Sequence, residues 1–243
     1  MKNDTEFYVG YLPAPPGLRR FLPRLVAVLG GLAVAVAAAL AGGQHAFEKS
    51  TFEFQDYRNF HGVLLERPYP MLAIAGQGMP WLLVATGKHG AAEMVRGLDG
   101  RDVDLRGSRI YRGGDHMIEL LPQSVHPTGA GVPPETVELG EVRLQGEIVD
   151  SKCYLGVMNP GSGKVHRDCA ARCISGGIPP ALLVRDAAGQ AMTVLLANDE
   201  GAPMGSGIQS MVAEPIAVTG RLSRIGGRLT LRANPAGIHR GVE

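Results

Sequence analysis

The stretch Gly220-Arg-Leu-Ser-Arg-Ile-Gly226-Gly227-Arg-Leu-Thr-Leu231 decides the fold. It reads as a strand, a tight glycine turn and an alternating return strand. The same arrangement stands earlier, at Gly107-Ser-Arg-Ile-Tyr-Arg-Gly113-Gly114, followed one residue on by His116-Met-Ile-Glu-Leu120. The offset is 113 residues, and applied to Trp81-Leu-Leu-Val84 it lands on Val194-Leu-Leu-Ala197, another apolar strand. Farther upstream, His61-Gly-Val-Leu-Leu65 matches Gln145-Gly-Glu-Ile-Val149 at an offset of 84. The difference of 29 residues is an insertion in the second copy, at approximately residues 151–179.

Two tandem modules follow, about 55–125 and 135–240, joined by a Pro/Gly-rich linker at 126–134. Five or so short strands with glycine bends fit a small Greek-key barrel, closest to the OB type. The expected class is mainly β: one N-terminal transmembrane helix, then two OB-like barrels, the second with a short Cys/His-bearing helical insertion. Ile216-Ala-Val-Thr-Gly-Arg-Leu222 with its Gly-Gly turn resembles the strand pairs of OB-like bacterial periplasmic domains. That likeness concerns fold, and such barrels host unrelated functions.

Composition agrees with short strands joined by turns. Of 243 residues 45% are hydrophobic, only 5% are aromatic, and there are 34 glycines and 17 prolines. The formal charge is +1, and beyond the apolar run 20 basic face 21 acidic residues. That balance gives no basic field of the kind that holds a phosphate backbone, so nucleic acid is not an expected partner.

Leu25 to Gly43 reads LVAVLGGLAVAVAAALAGG, nineteen residues without a charge. That length just crosses a hydrocarbon core. Lys2, Arg19, Arg20 and Arg24 precede it, so the positive-inside bias leaves residues 1–24 as a cytoplasmic leader and puts the rest in the periplasm. A single-pass protein of a bacterial inner membrane is expected. Ala39-Leu-Ala41 is similar to a cleavage site, which keeps a removed signal peptide as the competing reading. The leader Phe7-Tyr-Val-Gly-Tyr-Leu-Pro-Ala-Pro-Pro16 favours retention, as a segment that docks on a membrane-protein partner.

All three cysteines fall inside the insertion. His166, Cys169 and Cys173 sit at i, i+3 and i+7, on one face of a helix expected from about 164 to 174, and Cys153 arrives from the preceding segment. Ser175-Gly176-Gly177 is a natural stop for that helix. Cys153, His166, Cys169 and Cys173 together form a Cys3His ligand set. The alternatives are a disulfide from Cys153 to one of the other two with a spare thiol, and a redox-active thiol at Cys169 or Cys173. Thiolate and imidazole suit zinc first, with copper or an iron centre behind it. Met158, Met192, Met204 and Met211 are the soft ligands copper would need. Arg167 and Arg172 flank the thiols and would favour thiolate, while Asp150 and Asp168 are candidates to orient a ligand.

The segment Cys153-Tyr-Leu, then His166-x-x-Cys169-Ala-x-x-Cys173-Ile, Gly177 and Pro179, resembles a group of bacterial membrane-anchored and exported proteins carrying this pattern on an OB-like domain. The likeness covers roughly thirty residues plus the following strands, with Pro180 departing where a small residue is expected. It implies a module used outside the membrane and no particular activity.

No G-x-S-x-G elbow, HExxH, P-loop or dinucleotide fingerprint is present. C-x-x-C is absent too, which counts against a thioredoxin-like enzyme and covalent haem. His61, His89, His116 and His126 show no ligand spacing along the chain. The expected function is a non-catalytic accessory or structural subunit of a membrane redox or respiratory assembly. A thiol-redox protein or metal chaperone acting through Cys169 and Cys173 is the rival.

Overall fold

The computed structural model describes residues 10, 13–44 and 49–241; most of the leader that was expected to dock lies outside them. The chain divides into an N-terminal unit and a second unit from residue 48 onward. In the first, helix α1 runs Pro16–Gly43, starting earlier than the apolar run because Pro16 supplies a preset first turn. Its 28 residues are apolar enough to cross a membrane, a property shared by signal sequences.

The second unit holds the strands. The first barrel comprises β1 (Ser50–Phe52), β2 (Arg58–Leu65), β3 (Met71–Ala73), β4 (Trp81–Val84), the short helix α2 (Ala92–Val95), β5 (Arg101–Arg112), β6 (Asp115–Leu120) and β7 (His126–Ala130). The second comprises β8 (Thr136–Asp150), the insertion with helix α3 (Arg167–Ser175), β9 (Pro180–Arg185), β10 (Ala191–Ala197), β11 (Pro215–Ile225), β12 (Arg228–Arg232) and β13 (Ile238–Arg240). Strand order β2-β3-β4-β6-β5 closes back on β2, with β4 and β6 parallel. The order β8-β9-β10-β12-β11 closes on β8 in the same way, with β10 and β12 parallel. Both are closed five-stranded barrels of OB topology.

The two barrels agree residue by residue. Gly62 pairs with Val103 and Gly146 with Ile216; Leu82 pairs with Met117 and Leu195 with Thr230. Each pair maps onto its counterpart at the offsets read from sequence. Gly62 and Gly146 are glycine for one reason: a Cβ there would collide with the carbonyl oxygen of Ala73 or of Leu183 on the neighbouring strand.

Residues 126–130, inside the expected linker, form an edge strand on β5 with a register shift at Asp102/Val103. Pro127 sits beside that irregularity, where a missing N–H is tolerated. Its counterpart β13 pairs with β11 in the second barrel.

The apolar runs are continuous because both faces of these strands are covered. Trp81 and Leu83 point into the first barrel's core, whereas Leu82 and Val84 join a cluster between the barrels. In β10, Val194 and Leu196 face the second core and Leu195 faces the shared cluster. That cluster includes Cys153, Tyr154, Leu155, Cys173 and Ile178 of the insertion.

Polar contacts lock the same interface. Tyr69 donates to the Leu196 carbonyl at 2.7 Å and accepts from the Met204 N–H at 2.9 Å. Arg228 pairs with Asp115 at 2.7 Å and donates to the Pro80 carbonyl at 3.0 Å. Asp115 accepts in turn from the Thr193 hydroxyl. Asp115 and Arg228 are equivalent positions of the two barrels, and so are Pro80 and Thr193. The contacts are therefore reciprocal, as they are across a two-fold axis.

Candidate metal centre

The insertion leaves the end of β8 through Asp150, whose carboxylate accepts the Cys153 N–H at 2.8 Å. Cys153 then opens a single π-turn, residues 153–157, closed by the Met158 N–H on the Cys153 carbonyl at 3.1 Å. Such wide turns aim a side chain that an α-turn would misdirect. A 3-10 turn at Lys164–His166 leads into α3, so His166 stands at the helix mouth and Cys169 and Cys173 follow on its inner face. The helix ends in a Schellman motif, with Ile178 N–H on the Cys173 carbonyl and Gly177 N–H on the Ile174 carbonyl. Gly177 takes φ +94° there, which a β-carbon would oppose.

These elements bring all four expected residues into one cluster. The ligand atoms of Cys153, His166 and Cys169 lie within 4.8 Å of one another, and so do those of Asp150, Cys153 and Cys173. Cys153 belongs to both groups and is the pivot. At a Zn–S distance of about 2.3 Å, tetrahedral sulfurs stand about 3.8 Å apart, so within each group a contraction of at most about 1 Å reaches coordination spacing. All three cysteines are free thiols; Cys153 and Cys173 are buried and Cys169 is half-buried.

Asp150, fully buried, lies 3.0 Å from His166 Nε2. With Nε2–H donating to that carboxylate, Nδ1 is left for a metal, the arrangement in which a carboxylate orients a ligating imidazole. Asp168 lies in the first turn of α3 and is exposed.

The charge at the thiols comes from an unexpected place. Arg167 is turned to Glu214 at 2.9 Å and the Ser210 carbonyl at 3.0 Å, and Arg172 is exposed. The cation on the sulfurs is Lys88 of the first barrel, with Nζ 2.8 Å from Cys169 Sγ and 3.6 Å from Cys173 Sγ. The contact with Cys169 raises the Lys88 pKa above its ordinary value. A hydrogen bond from Cys153 draws the Cys173 thiol down to about 7, and Lys88 assists against the opposing effect of burial. Cys153 moves the other way, pushed up by that donated hydrogen bond, by burial and by Asp150.

The methionines are divided. Met204 is buried in the second barrel's core and Met211 packs on it, while Met158 and Met192 are exposed.

A separate groove of about 650 Å³ on the first barrel is lined by Phe60, His61, Asp104, Arg106 and His126, among others. His61, Asp104 and His126 are in register on β2, β5 and β7, so strand pairing assembles histidines that are 65 positions apart. His61 Nδ1 is 2.8 Å from Asp104. Trp81 is buried and stacks on His116 at 4.5 Å.

Comparison with protein-family models, with curated proteins and with solved structures returns no match.

Proposed function

We propose that the barrels face the periplasm behind a retained membrane anchor and carry one transition-metal ion at Cys153, His166, Cys169 and Cys173. In this proposal the chain is a non-catalytic accessory subunit of a membrane redox or respiratory assembly. The observation carrying the metal reading is the pair of overlapping ligand groups pivoting on Cys153, with Asp150 behind His166. Zinc is the ion of choice: a closed set of three thiolates and an imidazole has no open position and acts structurally. Copper is less suited, because Met204 is committed to the core.

Elemental analysis combined with thiol titration tests this. One metal per chain, with thiols that react only after chelation, is the expected outcome. One reactive thiol without metal would identify a disulfide instead. For the assembly role, the protein is extracted from membranes in mild detergent, and partners at fixed stoichiometry are expected. A strictly monomeric, partnerless protein would refute it.

The exposure of Cys169 next to Lys88 favours one second reading, a thiol-redox protein or metal chaperone working through Cys169 and Cys173. Under that reading Cys169→Ser abolishes activity and leaves the fold intact. Under the metal reading the same change destabilises the second barrel.

A further inference from the structure

We infer that the metal centre is completed from the first barrel: Lys88 is the counter-charge of a tris-thiolate ion, and the buried Lys152–Glu119 pair holds it in place. The inference rests on the metal reading and names how the site is tied to the neighbouring barrel.

Charge sets the requirement. A divalent ion with three thiolates and a neutral imidazole carries one net negative charge, and Asp150 adds another close by. Cys153, His166, Cys173 and Asp150 are all buried, where uncompensated charge is costly. Arg167 is held by Glu214 and Ser210, and Lys152 is paired with Glu119. Lys88 meets the sulfurs directly.

Its position is built. Lys152, three per cent exposed, follows β8 by two residues and reaches across to the first barrel. There it pairs with Glu119 and donates to the carbonyls of Ala85 and Gly87, the latter next to Lys88. On the far side of the lysine, the Gly90 N–H donates to the Gly176 carbonyl at 2.9 Å, at the end of the helix bearing Cys169 and Cys173. Gly176 must be glycine, since a Cβ there would strike the Lys88 carbonyl. The second barrel repeats this loop, with Asn198 N–H on Ala202 as Ala85 N–H on His89. Its equivalent of Lys88 is Gly201. The lysine stands in the copy that meets the insertion.

The test is a zinc titration of the detergent-solubilised full chain against a chromophoric chelator. Lys88→Met is expected to bind Zn²⁺ about tenfold to a hundredfold more weakly than wild type, the usual effect of losing an outer-shell partner. Lys88→Arg, which keeps the charge, should stay within a few-fold. Because Lys88 is exposed, the metal-free unfolding temperatures of all three should coincide at about pH 6, where the Cys173 thiol is protonated folded or unfolded, separating a charge effect from damage to the fold. Equal zinc affinity in wild type and Lys88→Met overturns the inference while leaving the metal site standing. A wild-type chain that takes up no zinc overturns the metal reading itself. Glu119→Gln should weaken binding in the same direction, and unaltered affinity there removes the positioning role of the buried pair.

Discussion

Arg228 and Asp115, equivalent residues of the two hairpins, form an ion pair with each other at 2.7 Å across the interface. Arg228 is two per cent exposed. Removing one partner strands the other, so Arg228→Met should cost about 3–5 kcal/mol. The double variant Asp115→Asn, Arg228→Met should recover part of that loss. Urea unfolding of the four proteins of the cycle measures the coupling, and additivity of the single changes would rule the pair out as an energetic unit.

Tyr69 satisfies two backbone groups of the second barrel with one hydroxyl. Tyr69→Phe leaves the Met204 N–H and the Leu196 carbonyl without it in a buried setting. A loss of about 1–3 kcal/mol is expected by thermal or urea unfolding.

Zinc should stabilise the fold in proportion to its binding. At a hundred times Kd the gain is about 2.7 kcal/mol, visible as a rise in Tm that a chelator reverses. Cys153→Ser should abolish most of that rise, because Cys153 serves both ligand groups. A rise that survives Cys153→Ser would place the ion elsewhere.

In metal-free protein one thiol should ionise near pH 7, that of Cys173, while Cys153 stays protonated well above the ordinary thiol range. Ultraviolet absorbance of thiolate, compared with Cys173→Ala, reads this directly. For stability the sign follows from the lowered value. Cys173 contributes fully above its unfolded pKa of about 8.5 and loses that contribution as pH falls through 7. The stability difference between wild type and Cys173→Ala should therefore shrink from pH 8.5 to 7.

The barrels were legible from sequence because their constraints are local and repeat. Gly62 and Gly146 each let a strand backbone pass, and an alanine at either should be equally disruptive, a comparison that unfolding of the two single variants makes. The Gly-Gly turns and apolar runs carried the remainder. The strand at 126–130 was hidden by Pro127 and Gly129, residues of low strand propensity that an edge accepts. Within the site, helical spacing placed His166, Cys169 and Cys173 on one face. Lys88 left no such trace: it lies 81 residues from Cys169 on another barrel, and only tertiary docking joins them. Arg167 and Arg172, the cations adjacent in sequence, turn elsewhere or stay exposed for the same reason that neighbours on a helix point in different directions.

The reciprocity of Asp115 with Arg228 and of Pro80 with Thr193 bears on what each barrel could do alone. A lone barrel that self-associated through this hairpin would set each residue against its own copy, opposing two aspartates or two arginines. Opposite charges at one equivalent position require two copies whose sequences differ there. The ion pair thus commits each half to the other: neither hairpin is complementary to itself.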